Sequence, residues 1–123
     1  MKRLALSVVV IAVLVAGASS AAKGPTPKVT IAQTVSNGTD NISLSGSHWP
    51  PSTTVSWLIQ FCPTSGGCSA PVTGTASVDP SGNFNTGPAA SEPCNNGFFT
   101  QVVANVFEPS TGAIFAHPKK LAC

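Results

Sequence analysis

The chain has few charged side chains and no tyrosine. Only 8% of its 123 residues are charged, with six Lys or Arg against four Asp or Glu, and the formal net charge is +2. Two of the six basic residues are Lys2 and Arg3, so residues 23–123 carry equal numbers of lysines and acids and no arginine. A nucleic-acid-binding protein needs a basic stripe to neutralise phosphates, and attraction to anionic lipid needs a similar patch. We therefore expect no nucleic acid among the partners and no electrostatic attraction to anionic lipid. We also expect no stable membrane insertion, because the apolar run near the N-terminus is short for a membrane span.

The patterns that mark catalytic and metal sites are also missing. No Gly-x-Ser-x-Gly turn presents a serine nucleophile, and no Asp-x-Asp-x-Asp segment indicates a calcium loop. His48 and His117 have no acid or nucleophile in a pattern typical of a catalytic triad, and the four acids lie far apart in sequence and give no paired-carboxylate motif for sugar hydrolysis. We expect a protein that is not an enzyme and that holds no metal or cofactor.

The N-terminus has the three-part organisation of a secretory signal peptide. A basic start precedes an apolar run over residues 4–16, and Ser20 and Ala22 occupy the positions expected before a cleavage site. A helix over the apolar run spans about 20 Å, short of the roughly 30 Å hydrocarbon core, which disfavours a retained anchor. We expect residues 1–22 to be a signal peptide, residues 23–27 an extended leader, and the protein to be secreted into the extracellular space.

Downstream of the leader, apolar residues alternate with polar ones, and no segment has helical periodicity. "TVSWLIQF", for example, places Val55, Trp57, Ile59 and Phe61 on one face, and "DPSGN" and "EPSTG" are typical of turns. These features predict an all-β domain over residues 28–123, a seven-stranded antiparallel sandwich with immunoglobulin-like topology. The predicted strands are A 28–34, B 41–46, C 54–61, D 72–78, E 83–87, F 98–107 and G 113–117.

Two segments resemble bacterial extracellular immunoglobulin-like modules. Those modules carry Gly-x-x-aromatic-Pro-x-x-x-x-Val between strands B and C, and Asp-x-x-Gly-x-Phe before strand E. The resemblance implies the fold and leaves the function open, because such folds host many roles. The matching residues are Gly46, Trp49, Pro50, Val55, Asp79, Gly82 and Phe84.

A narrower resemblance is to the neocarzinostatin-type secreted apoproteins, which are seven-stranded sandwiches that carry a small aromatic chromophore. Gln60 and Cys62 match the Gln-Cys at the end of strand C in that family, and a second cysteine follows closely. The chain lacks the family's other short-loop cysteine pair. This resemblance implies a small-molecule carrier with an apolar cleft.

The four cysteines could form disulfides, a metal site or a reactive dithiol. Structural zinc needs four ligands, usually in close pairs, and a reactive thiol favours a helix N-terminus. An exported chain favours disulfides instead. Of the three pairings that four cysteines allow, we predict Cys62 with Cys68, across a supple loop, and Cys94 with Cys123, which would pin the C-terminal end.

Strand F has two apolar faces, and only one can face the core. If the face of Phe98, Val102, Ala104 and Val106 is inward, the other looks outward beside the outer face of strand C. The alternative is that the connection over residues 88–97 covers this surface. The predicted candidate binding face consists of Leu58, Gln60, Phe99, Val103 and Phe107. Trp49 in the B–C loop is a second candidate for an exposed aromatic, and the alternative, suggested by the two prolines after it, is that it plugs the end of the sandwich.

From these observations we expect a secreted, non-catalytic binding or surface-interaction module. Its partner would be a protein, a cell surface or a second copy of the chain. The alternative is a carrier with a small apolar ligand in a cleft over the same face.

Overall fold

The computed structural model describes residues 26–94 and 97–122, and in these ranges every regular element is a β-strand. The predicted signal peptide, residues 1–22, lies outside the described residues, as do residues 23–25 of the leader. The strands are β1 (Lys28–Ser36), β2 (Thr39–Ser47), β3 (Thr54–Cys62), β4 (Val72–Ser77), β5 (Phe84–Asn85), β6 (Ala90–Pro93), β7 (Gln101–Glu108), β8 (Gly112–Phe115) and β9 (Lys119–Lys120).

The all-β prediction is confirmed, and the described residues form nine strands rather than seven. Predicted strands A to E correspond to β1 to β5, and F and G correspond to β7 and β8. The extra strands, β6 and β9, lack apolar alternation and pair through their backbones, so no hydrophobic pattern marked them. The connection over residues 88–97 contains β6 and pairs with β2 at the far sheet, so in its described part it does not cover the predicted binding face.

The first sheet has the order β1-β2-β5, with β6 also pairing with β2. A tight hairpin joins β1 to β2 and sets their register, with Ser36 opposite Thr39. The two turn residues, Asn37 and Gly38, both have positive φ, 52° and 72°. Positive φ at both central positions is the type I′ turn, whose twist matches that of the flanking strands.

The second sheet has the order β4-β3-β7-β8, with β9 also pairing with β7. All its pairings are antiparallel, and β3 and β7 form its centre. Along β3, Val55, Ile59 and Phe61 are buried and Trp57 shares their side half-buried, whereas Ser56, Leu58 and Gln60 point to the other side. This is the period-two alternation expected of a strand with one face on the core.

The inner faces of the two sheets share one hydrophobic core, which makes the arrangement sandwich-like. Its most deeply buried aliphatic side chains come from both sheets, and each contributes roughly 1.5–3 kcal/mol relative to exposure. These residues are Ile42, Leu44, Val55, Ile59, Val102 and Val106.

Trp49 closes one end of this core. Its exposed fraction is 2%, its ring meets Phe84 edge-on at a centroid distance of 5.9 Å, and its Nε1 donates to the carbonyl oxygen of Lys28 at 3.0 Å. Trp49 is therefore not an exposed aromatic, and the structure has the alternative in which it plugs the end of the sandwich. Gly82, whose φ is 86°, lets its turn approach the Trp49 backbone closely, and Gly46 leaves room for the Phe84 ring, which a Cβ there would overlap.

Candidate functional site

Four of the predicted binding residues lie together on the outer side of the second sheet. Leu58 and Gln60 on β3 alternate with buried residues, as do Val103 and Phe107 on β7. The register places Gln60 directly opposite Val103. Strand parity thus brings these side chains to one side of the β3–β7 pair, as predicted.

Phe115 belongs to the same surface and was not predicted. It lies on β8 opposite Asn105 and has an exposed fraction of 75%, the highest among the large hydrophobic residues described. Ile114 and Ala116 pack in the core, so alternation alone could have identified Phe115 as outward-facing. We call the surface formed by Leu58, Gln60, Val103, Asn105, Phe107 and Phe115 the outer face.

The predicted orientations of Phe98 and Phe99 are both wrong. Phe98 was expected inside and Phe99 outside, but Phe98 is 58% exposed and Phe99 packs against the core. Their rings contact edge-on with centroids 4.8 Å apart. The physical reason is that β7 begins only at Gln101, so the parity of the strand does not extend back to the two phenylalanines.

An open groove of about 410 Å³ runs along the outer face toward β4. Ser56, Leu58, Thr73, Thr75 and Phe107 provide its outward side chains, together with the amide of Asn105. None of the lining residues carries a charge. A surface of this composition suits an uncharged partner, because apolar contact and a few hydroxyl or amide hydrogen bonds are all that it offers.

Trp57 lies at the inner side of this groove. Its ring packs over Gly74, directly opposite on β4, where any Cβ would meet the indole. Its Nε1 is buried and has no hydrogen-bond partner in the described part of the chain. Trp57 was expected in the core, and it is half-buried there, with one polar atom unsatisfied.

The disulfide loop adjoins one end of the outer face. Cys62 is bonded to Cys68, which confirms the first predicted bridge. Ser69 fastens the loop to β3: its N–H donates to the carbonyl of Phe61 at 2.8 Å, and its hydroxyl accepts from the Phe61 N–H at 3.0 Å. The Gln60 amide donates to the Ser69 carbonyl at 3.0 Å, which fixes that side chain toward the loop.

The second predicted bridge, Cys94 with Cys123, stays a prediction because Cys123 lies outside the described residues. No described cysteine is free. Within residues 26–94 and 97–122, no three His, Cys, Asp or Glu side chains lie close enough together to hold a metal ion.

Asp40 is a buried acid that the sequence did not single out. Its exposed fraction is 0%, and its Oδ2 accepts from Gln33 Nε2 at 2.7 Å and from the N–H of Ala122 at 2.9 Å. Gln33 also donates to the carbonyl of Lys120 at 2.7 Å, so both side chains hold the C-terminal segment. The other oxygen, Oδ1, has no partner in the described residues.

Glu108 holds the turn between β7 and β8. Its Oε1 accepts from the Ser110 hydroxyl at 2.6 Å and from the N–H groups of Ser110 and Thr111, each at 3.0 Å. These hydrogen bonds, the Ser110 hydroxyl first, favour the ionised form and lower the pKa of Glu108. The acid is therefore part of the scaffold beside Phe107.

No protein-family model matches the chain, and neither a curated protein nor a solved structure matches it. Over the two described ranges, no helix is long and apolar enough to span a membrane.

Proposed function

We propose that this protein is a secreted, non-catalytic binding module that recognises an uncharged partner surface through its outer face. One observation carries the proposal: two phenylalanines, Phe107 and Phe115, are 45% and 75% exposed on paired strands of one sheet. Exposed apolar clusters of this kind mark interaction sites. The sheet keeps them in fixed positions, so binding costs little conformational entropy.

The immunoglobulin-like fold is part of the same proposal. Pairing of β3 with β7 and of β1 with β2 supports it, as does the contact of Trp49 with Phe84, two positions of the resemblance to bacterial extracellular immunoglobulin-like modules. One feature differs from the constant-type immunoglobulin arrangement. In this chain the fourth strand, β4, pairs with β3 in the second sheet, whereas in constant-type domains the fourth strand belongs to the sheet of the first two strands.

The test compares capture by the native chain and by a double variant, Phe107→Glu with Phe115→Glu. Each purified protein is immobilised and exposed to culture medium and cell-envelope extract of the producing organism, and bound material is quantified by mass spectrometry. Val35→Glu is the matched control, because Val35 is 47% exposed on the other sheet. We expect capture to be lost only in the double variant, and equal capture by all three proteins would refute the proposal.

A carrier of a small apolar ligand is the second candidate. The uncharged groove and the unpartnered Nε1 of Trp57 favour it, since an acceptor atom on a ligand could satisfy that N–H. Native mass spectrometry of protein purified without denaturation separates the two functions. A retained mass that Gly74→Val removes supports the carrier, and a clean protein mass supports the interaction module.

A further inference from the structure

The β4 strand forms an open edge of the second sheet and lacks the usual protection of such edges. Its sequence, VTGTAS, contains no charge and no proline, and it pairs only with β3. Natural proteins protect exposed edges with lysines, prolines or bulges because unpaired backbone groups invite another strand. At the opposite edge, β8 is short and is followed by Pro118 and the lysines of β9.

The register shows which backbone groups of β4 are unused. The N–H of Val78 donates to the carbonyl of Thr53 at 2.8 Å, which fixes the phase of the β3–β4 ladder. In an antiparallel ladder the bonding direction alternates, so Gly74 and Ala76 face β3. The N–H and C=O groups of Thr73, Thr75 and Ser77 therefore point sideways in the plane of the sheet, away from β3. Within the described chain no other strand or loop forms hydrogen bonds with them.

From this edge we propose that β4 pairs antiparallel with β4 of a second copy of the chain, about a two-fold axis at Thr75. Thr75 then lies opposite Thr75 of the second copy, and Thr73 lies opposite Ser77. Each outward residue exchanges both of its backbone hydrogen bonds with its counterpart, and the pairing joins the two four-strand sheet paths into one continuous sheet.

The chemistry of the strand favours a second copy as the occupant. A two-fold axis brings identical side chains together, which is unfavourable for a charged strand and harmless for an uncharged one. The side chains of Thr73, Thr75 and Ser77 are small, carry hydroxyl groups and lie on the same side of the sheet as the outer face. Threonine pairs across neighbouring strands are favourable. On the other face, Gly74 and Ala76 carry no bulky side chain of their own, and the Trp57 ring of the same chain lies over Gly74.

The pairing would also join the two grooves. Thr73 and Thr75 line the groove of the outer face, and a two-fold axis perpendicular to the sheet places both outer faces on the same side. The dimer thus presents two grooves side by side. The contact itself rests on the backbone of β4 and not on the proposed function of the outer face.

The first experiment measures molar mass by light scattering across a concentration series, with the disulfides intact. We expect the native chain to become a dimer with increasing concentration. Thr75→Pro removes the central outward N–H without breaking the ladder to β3, and Thr75→Lys places two like charges at the axis, so both variants should remain monomeric. Thr75→Val, of similar shape and uncharged, should still dimerise, and so should Val35→Pro on the edge strand of the other sheet.

A second measurement needs no variant. In the dimer, amide exchange at Thr73, Thr75 and Ser77 slows as protein concentration rises, while Gly74 and Ala76 are protected at all concentrations. A native chain that remains monomeric up to about 1 mM, with fast exchange at those three amides, overturns the proposal. So does a dimer that Thr75→Pro and Thr75→Lys leave intact. The Phe107→Glu and Phe115→Glu double variant should still dimerise, which separates this inference from the proposed function.

Discussion

Replacing Asp40 by alanine tests whether a buried acid fastens the C-terminal segment to the first sheet. Asp40 lies on β2, and its Oδ2 accepts hydrogen bonds from the Gln33 side chain and from the backbone of Ala122. Asp40→Ala removes both bonds at once. Asp40→Asn keeps one acceptor oxygen, removes the charge and replaces the other oxygen by an NH2 donor.

The magnitude follows from these contacts. Each hydrogen bond to a carboxylate contributes about 1.5–3 kcal/mol, and the unpartnered Oδ1 costs about 1–3 kcal/mol of desolvation. The two bonds together contribute about 3–6 kcal/mol, and losing the unpartnered oxygen returns about 1–3 kcal/mol. The expected net loss in the free energy of unfolding therefore centres on about 2–3 kcal/mol. For a domain of this size the loss lowers Tm by about 10–20 °C. Asp40→Asn should cost about 1 kcal/mol, since neutral hydrogen bonds are weaker.

The assay is urea unfolding with the disulfides intact, combined with amide exchange at Ala122. The control is Glu92→Ala, because Glu92 lies opposite Asp40 on β6 and is half-exposed. We expect fast exchange at Ala122 in Asp40→Ala and normal exchange in the control. A loss below about 1 kcal/mol, or stability loss with unchanged exchange at Ala122, would refute the reasoning.

Three further predictions concern the scaffold around the outer face. Gly46→Ala should cost about 1–3 kcal/mol in urea unfolding, because its methyl group overlaps the buried phenylalanine ring of β5; an unchanged midpoint would contradict this packing. Joint replacement of Cys62 and Cys68 by serine should lower stability by about 2 kcal/mol through loop entropy, and native-like thermal unfolding would argue against it. The pKa of Glu108 is lowered in the fold, so the stabilisation that its ionised form provides is present above about pH 4.5 and is lost as pH falls through the pKa of the folded state. In Glu108→Gln, the urea midpoint should therefore depend less on pH between about pH 5 and pH 3 than in the native chain.

Features that depend on neighbours along the chain were predictable. Alternation on predicted strands C and F placed Leu58, Gln60, Val103 and Phe107 on one side, because side-chain direction in a strand follows from position parity. The disulfide between Cys62 and Cys68 was predictable because the two cysteines are only 6 positions apart along the chain. Parity failed at Phe99, since the start of β7 is set by pairing with β3 and β9 and not by local sequence.

Features that depend on distant segments were not predictable. Trp49 is buried because the turn at Gly82 and the ring of Phe84 lie against it. The prolines in "GSHWPP" suggested such a position as an alternative, but neither contact is visible in the local sequence. Parity does place Asp40 inward, in phase with Ile42. Its partner Ala122 is 82 positions away in sequence, so the sequence alone gave no reason for a buried acid there.

The distribution of the few charges leads to a prediction about binding itself. Asp40 and Glu108 accept backbone hydrogen bonds, and so does Asp79, whose Oδ1 receives the N–H groups of Ser81 and Asn83. Three of the four acids therefore serve the scaffold, and no charge lies on the outer face. Under the proposed function, recognition at this face depends on shape and apolar contact. We expect capture of the partner, and self-association through β4, to change little between about 50 and 500 mM NaCl and to strengthen in sulfate. Steep weakening with NaCl would show that charges outside the outer face dominate, and would contradict the apolar recognition proposed for this surface.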